Sequence, residues 1–149
     1  MKTYAKETPE IRLRKKNGQM LTAQIKTSKD AAIYFREIFD AYQLEVREQA
    51  MAIFLNQANN TCGYYLVSIG GMTATVIDPR TIFRAALECG ATSFILAHNH
   101  PSGQTQPSEP DKAITKKLKE GGKLLEIHLL DHLILTSTTY TSMTDEGLI

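Results

Sequence analysis

Hydrophobic and polar positions alternate along the chain in two periods, one helical and one extended, and their succession predicts an α/β domain. Short alternating runs at 11–15 and 20–25 flank Asn17-Gly18, the dipeptide best suited to a two-residue hairpin turn. Ser28 then stands where it can cap a helix whose apolar residues Ala31, Tyr34, Phe35, Ile38, Phe39 and Tyr42 recur on one face. From Leu44 the period shortens. Residues 46–55, 64–69 and 73–77 read as strands of an antiparallel meander, separated by the polar turn 57–62 and by Gly70-Gly71. Pro79 can open a helix over 81–89 that Gly90 closes. An apolar run at 93–97 follows, then a polar helix over 109–120 stopping at Gly121-Gly122, and last strands within 125–135 and 138–142. The expected organisation is an N-terminal hairpin-and-helix extension, 1–43, ahead of a main domain, 44–149, with a mixed sheet between helices.

Composition narrows the classes without choosing among them. Seventeen basic residues against sixteen acidic ones give a formal charge of +1, which marks no general polyanion binder. Cys62 and Cys89 form neither a CxxC pair nor a disulfide framework, so two buried thiols in a reducing compartment are expected. The N-terminus has no apolar signal core, and the uncharged stretch 49–77 is interrupted by asparagines and paired glycines. A cytoplasmic chain without a membrane span is the expectation.

The candidate chemistry lies in AHNHPSGQTQPSEPD, residues 97–111. In an extended segment His98 and His100 project to one side and Asn99 to the other, so the two imidazoles can converge on one ion. A catalytic zinc usually takes three protein ligands and leaves a fourth position for water. Asp111 is the best third ligand, because the loop 101–107 can fold back and start a helix whose first turn carries that carboxylate. Taken alone, Ser108-x-x-Asp111 is more simply a helix N-cap with an acidic residue near the positive end of the dipole. Both readings can hold together. The base that such a site needs is assigned to Glu48, near the start of a strand and on one face with Ala50 and Ala52, whose small side chains leave room. Glu45 nearer the helix junction and Glu88 at a helix end are the weaker alternatives. His128, in an apolar strand, reads as structural, and Asp131-His132 reads as supporting the site without touching the metal.

These residues carry a resemblance. His98-x-His100-Pro101 with Ser108-x-x-Asp111 resembles the signature of JAMM/MPN metalloproteases. AHNHPSG with PSEPD, DPRTIFRAALECGA upstream, and LLDHLIL with YTSMTDEGLI downstream resemble its bacterial RadC-type branch from about Leu44 to Ile149. The resemblance implies a JAMM/MPN fold of the cytidine deaminase-like kind. It also implies Zn2+ held by His98, His100 and Asp111, Glu48 as general base, and Ser108 donating to the developing oxyanion. The implied activity is zinc-dependent hydrolysis of a peptide or isopeptide bond in a protein or peptide substrate. Asn99 stands where JAMM deubiquitinases commonly have serine or threonine, which does not carry ubiquitin specificity over. Residues 1–43 do not read as the helix-hairpin-helix region of full-length RadC proteins.

Competing readings follow from the same residues. Two histidines and a carboxylate also suit a non-haem Fe(II) oxygenase, but such triads typically bring the carboxylate beside the first histidine and the second histidine from far away. The string His98-Asn99-His100 is not the motif of HNH nucleases, whose three letters denote dispersed residues. A DNA-associated protein of repair or mobile-element biology is suggested by the RadC name and by Arg12, Arg14, Lys15 and Lys16. A solvated basic edge strand explains those four residues equally well. A non-catalytic scaffold is disfavoured because every motif position is filled.

Overall fold

The computed structural model describes residues 22–71 and 76–149, so most of the predicted first hairpin and its basic residues lie outside the described residues. In chain order the elements are α1 (Ser28–Ile38), β1 (Gln49–Leu55), β2 (Thr61–Ile69), α2 (Pro79–Glu88), β3 (Ser93–Asn99), α3 (Glu109–Leu125), β4 (His128–Leu135) and β5 (Tyr140–Ser142). Five strands form one mixed sheet in the order β2-β1-β3-β4-β5, with β3 and β4 parallel and the other neighbours antiparallel. Parallel neighbours require a crossover, and α3 provides it.

Every residue of β1 and of β3 is buried, because helices cover both sheet faces. On one face α1 brings Ala31, Tyr34 and Phe35 against Met51, Ile53, Leu55, Ile95 and Ala97. On the other, α2 and α3 bring Ile82, Phe83 and Leu118 against Ala52, Phe54, Phe94 and Leu96. Odd positions of both central strands thus face α1 and even positions face α2 and α3. That parity assigns His98 to the α3 side and Asn99 to the α1 side. Among the described residues no helix is long and apolar enough to cross a membrane.

Several expectations are corrected. Among the described residues no third meander strand pairs with β2, whose one neighbouring strand is β1. Residues 73–75 lie outside the described residues, and Val76 and Ile77 form no strand. The apolar run of β3 takes an interior slot, where it is covered on both faces. The cap of α1 is Thr27 rather than Ser28: the Thr27 hydroxyl accepts from the Asp30 amide while the Asp30 carboxylate accepts from the Thr27 amide, a reciprocal capping box. Ser28 instead donates to Asp145 at 2.5 Å. Helix α1 ends at Ile38, leaving Tyr42 90% exposed.

Helix α3 does not stop at its glycines but runs through them to Leu125, where Glu126 reverses the chain at φ 57°. The reversal brings the Ile127 carbonyl over the helix, and a Cβ on Gly122 would lie within 2.2 Å of that oxygen. Gly122 is therefore required by close approach, not as a stop. The two thiols are half-buried, and their sulfurs lie 3.8 Å apart although 27 residues separate them.

Candidate metal centre

His98 is the penultimate residue of β3, buried, and directly opposite Ala50 of β1, whose methyl group leaves space above the sheet. His100 lies just past the strand end, where its amide donates to the Leu135 carbonyl at 3.0 Å. Its ring Nδ1 lies 2.8 Å from the Gln104 carbonyl, an acceptor only, so Nδ1 carries the proton and Nε2 turns toward the site. The loop then folds back, with Gly103 at φ 82°, into the N-terminus of α3. There Ser108 is the N-cap: its hydroxyl accepts from the Asp111 amide at 3.2 Å, and its own amide donates to Asp111 Oδ2 at 2.8 Å. The capping box occupies Oδ2 and leaves Oδ1 facing His98, so the cap reading and the ligand placement coexist.

Three residues bring their donor atoms together. His98 Nε2 and His100 Nε2 are 2.9 Å apart, Asp111 Oδ1 is 3.2 Å from His98 Nε2, and Oδ2 is 3.5 Å from His100 Nε2. Tetrahedral ligands at ~2.0–2.1 Å from zinc stand about 3.3 Å from one another, so the spacing and the N2O donor set fit that ion. Burial opposes the Asp111 charge, but the His100 and His98 imidazoles beside it outweigh that cost and hold the carboxyl far below the usual carboxylate range. The same Asp111 contact raises the His100 pKa against the opposing effect of burial. His98, His100 and Asp111 form a group that can hold a metal ion.

Glu48 is half-buried immediately before β1 and lines a cavity of about 200 Å³ with Ile77, His98, Pro110, Asp111 and Ile114. Glu45 is exposed and absent from that lining. Glu88 is at the far end of the sheet: its neighbour Cys89 packs on Gly63, which pairs with Phe54 five residues along β1 from Gln49. His128 is exposed at the first position of β4.

Two further arrangements depend on partners far along the chain. Asn99, wholly buried on the α1 side, donates to the Leu44 and Arg47 carbonyls at 2.8 and 2.9 Å and accepts from the Gln49 amide at 2.7 Å. These bonds bracket Glu48 on both sides and fix the backbone that carries it. A fully buried asparagine in an apolar strand was itself the available signal, since buried amides need partners. The other arrangement involves His132. Between Phe94 and Ile95 the β3–β4 register slips by one residue, and Leu130 is the extra residue of the bulge. Before it Leu129 faces α2 and α3; after it Leu133 and Leu135 face α1. The switch turns His132 to the His98 side, where its Nε2 lies 2.7 Å from His98 Nδ1. Burial pushes the His132 pKa well below the usual imidazole range. Asp131 does not reach the donor group: its carboxylate accepts from the His132 amide at 2.7 Å, from the Ser142 hydroxyl and from the Thr144 amide, holding the His132 backbone and tying β4 to β5.

A family model described as a RadC-like JAB domain matches residues 25–148. A UPF0758 protein of Flavobacterium johnsoniae is 43% identical over 125 residues, covering 84% of this chain and 53% of that protein. A UPF0758 protein of Methanococcoides burtonii is 44% identical over 103 residues, covering 69% of this chain and 45% of that protein. The chain thus spans about half the length of these relatives. The α/β architecture with its mixed sheet agrees with the matched model, whose span takes in α1 and the whole His98–His100–Asp111 centre. The chain belongs to the family of proteins with a RadC-like JAB domain.

Proposed function

We propose that this chain is a zinc-dependent hydrolase of amide bonds, acting on a peptide or isopeptide substrate. The observation that carries this reading is the shared cavity, in which Glu48, a carboxylate outside the donor set, stands with His98 and Asp111. A bound zinc supplies Lewis acidity, polarising a carbonyl and lowering the pKa of a water to ~7. The remaining work falls to the chain. Glu48 accepts the proton that the attacking water sheds and returns it to the leaving amine, so one carboxylate serves both proton transfers. Asn99 holds that carboxylate's backbone in place from the opposite face of the sheet. The Ser108 hydroxyl spends its lone pair on the Asp111 amide, and its own proton has no acceptor among the described residues. It is therefore free to donate to the oxyanion of a tetrahedral intermediate.

Metal analysis of protein purified without added metal tests the ion, and a Glu48→Gln variant tests the chemistry. About one zinc per chain is expected, falling sharply when His98, His100 or Asp111 becomes Ala. Iron in place of zinc would favour oxygenase chemistry. Glu48→Gln should keep its zinc and retain bound substrate for identification by mass spectrometry, without turnover. Wild-type turnover in that variant would remove Glu48 as the base.

A further inference from the structure

A buried chain of short hydrogen bonds links two of the three donor residues behind the cavity. It starts at the Asp111 backbone carbonyl, 2.6 Å from Thr115 Oγ1 one helical turn later. Thr115 Oγ1 lies 2.6 Å from His132 Nδ1, and His132 Nε2 lies 2.7 Å from His98 Nδ1. Thr115, His132 and His98 are each at most 3% exposed, so water does not compete for these bonds.

The proton positions follow link by link. A carbonyl oxygen only accepts, so the single Thr115 proton points to Asp111. The Met143 sulfur, 3.6 Å away, is a weak and distant rival acceptor. With its proton committed, Thr115 Oγ1 can only accept from His132, which places a proton on His132 Nδ1. A second proton on that ring would create a buried cation bonded to a hydroxyl and another imidazole, with no carboxylate bonded to it, an expensive arrangement. His132 Nε2 is therefore a lone pair, and it accepts from His98 Nδ1–H. His98 Nε2 is then bare and faces His100 Nε2 and Asp111 Oδ1.

We propose that Thr115 and His132 are positioning residues that lock His98 in the Nδ1–H tautomer and so present its Nε2 lone pair to the metal. This deepens the zinc reading above and rests on it. The usual partner behind a metal-binding histidine is a carboxylate or a carbonyl. Here a neutral histidine takes that place, and it can serve as acceptor only because a threonine at the correct turn of α3 fixes its own tautomer. Three elements must agree for this to work: α3 supplies Thr115, the bulge at Leu130 aims His132, and β3 carries His98.

The test combines imidazole nitrogen NMR of the metal-free protein, in mildly alkaline solution where imidazoles are neutral, with competitive zinc titration. It uses the wild type, Thr115→Ser and Thr115→Val. Wild type and Thr115→Ser should both show His98 protonated on Nδ1 and bind zinc alike. In Thr115→Val the His132 proton loses its acceptor and moves to Nε2, which drives the His98 proton to Nε2, inside the site. Zinc affinity should then fall about 10–100-fold, the usual loss when such a supporting partner is removed. A wild-type spectrum with His98 protonated on Nε2 would overturn the proposal, and so would unchanged tautomers in Thr115→Val. The wild-type spectrum decides even where the valine variant fails to fold. The expected tautomer in a wild type that binds no zinc would support the lock and overturn the metal reading beneath it.

Discussion

Asn99→Ala removes three hydrogen bonds at once from a residue with no solvent contact. Each is worth about 0.5–1.5 kcal/mol net, but the larger penalty lies in what stays behind. The Gln49 amide and the Leu44 carbonyl belong to buried residues and lose their partner, at about 1–3 kcal/mol each, whereas the Arg47 carbonyl belongs to an exposed residue and can turn to water. Leaving two buried groups unpaired places the expected loss at about 3–5 kcal/mol, a large part of the stability of an ordinary domain. Urea denaturation followed by circular dichroism measures it, with an unchanged m-value confirming that the same surface unfolds. Zinc content of the folded fraction should change little, because β3 pairing and the α3 cap hold the donors. Turnover should fall, because the backbone on either side of Glu48 is no longer held. A stability loss under about 1 kcal/mol would refute the reasoning, since two orphaned buried groups cannot cost so little.

Three further outcomes are expected. Gly122→Ala should lower stability by roughly 1–3 kcal/mol in thermal unfolding, because its Cβ would overlap the Ile127 carbonyl. Gly121→Ala meets only the Phe83 ring at 3.1 Å and gains about 1 kcal/mol of helix propensity, so equal losses in the two variants would discredit the close-approach account. Ser108→Ala should lose ~0.5–2 kcal/mol as a lost cap and roughly 10²–10³-fold in turnover as a lost oxyanion donor; Ser108→Asp should recover stability alone. Activity restored by Asp would withdraw the oxyanion role. Asp30 has its pKa lowered by bonds from the Lys26 amide and the Thr27 side chain and amide, so its ionised form contributes stability above the unfolded pKa and loses it as pH falls through the folded one. Asp30→Asn should therefore be less stable than wild type at neutral pH, and the gap should close as pH drops below 3.8; a gap that persists in strong acid would contradict this.

Local periodicity was sufficient for much of this protein. The apolar runs of β1 and β3, the helical faces of α1 and α2, and the convergence of His98 and His100 all follow from side-chain direction, which is set within a few residues. The Ser108–Asp111 capping box is local in the same way, and it sets a carboxylate beside two imidazoles as well as starting a helix. Tertiary structure decided the rest, because the remaining features depend on partners far away in the chain. Strand order depended on which apolar run could be covered on both faces, and Gly122 on how closely the returning chain crosses α3. Strict alternation along β4 would place His132 on the face opposite Leu129. A single extra residue at Leu130 reverses that parity, and its cause is the pairing of β4 with β3. Asn99 was legible as a polar residue in a buried strand, but its three partners lie 50 to 55 residues away. A pattern read along the chain can show that a buried amide must be satisfied, and only the folded chain determines by what.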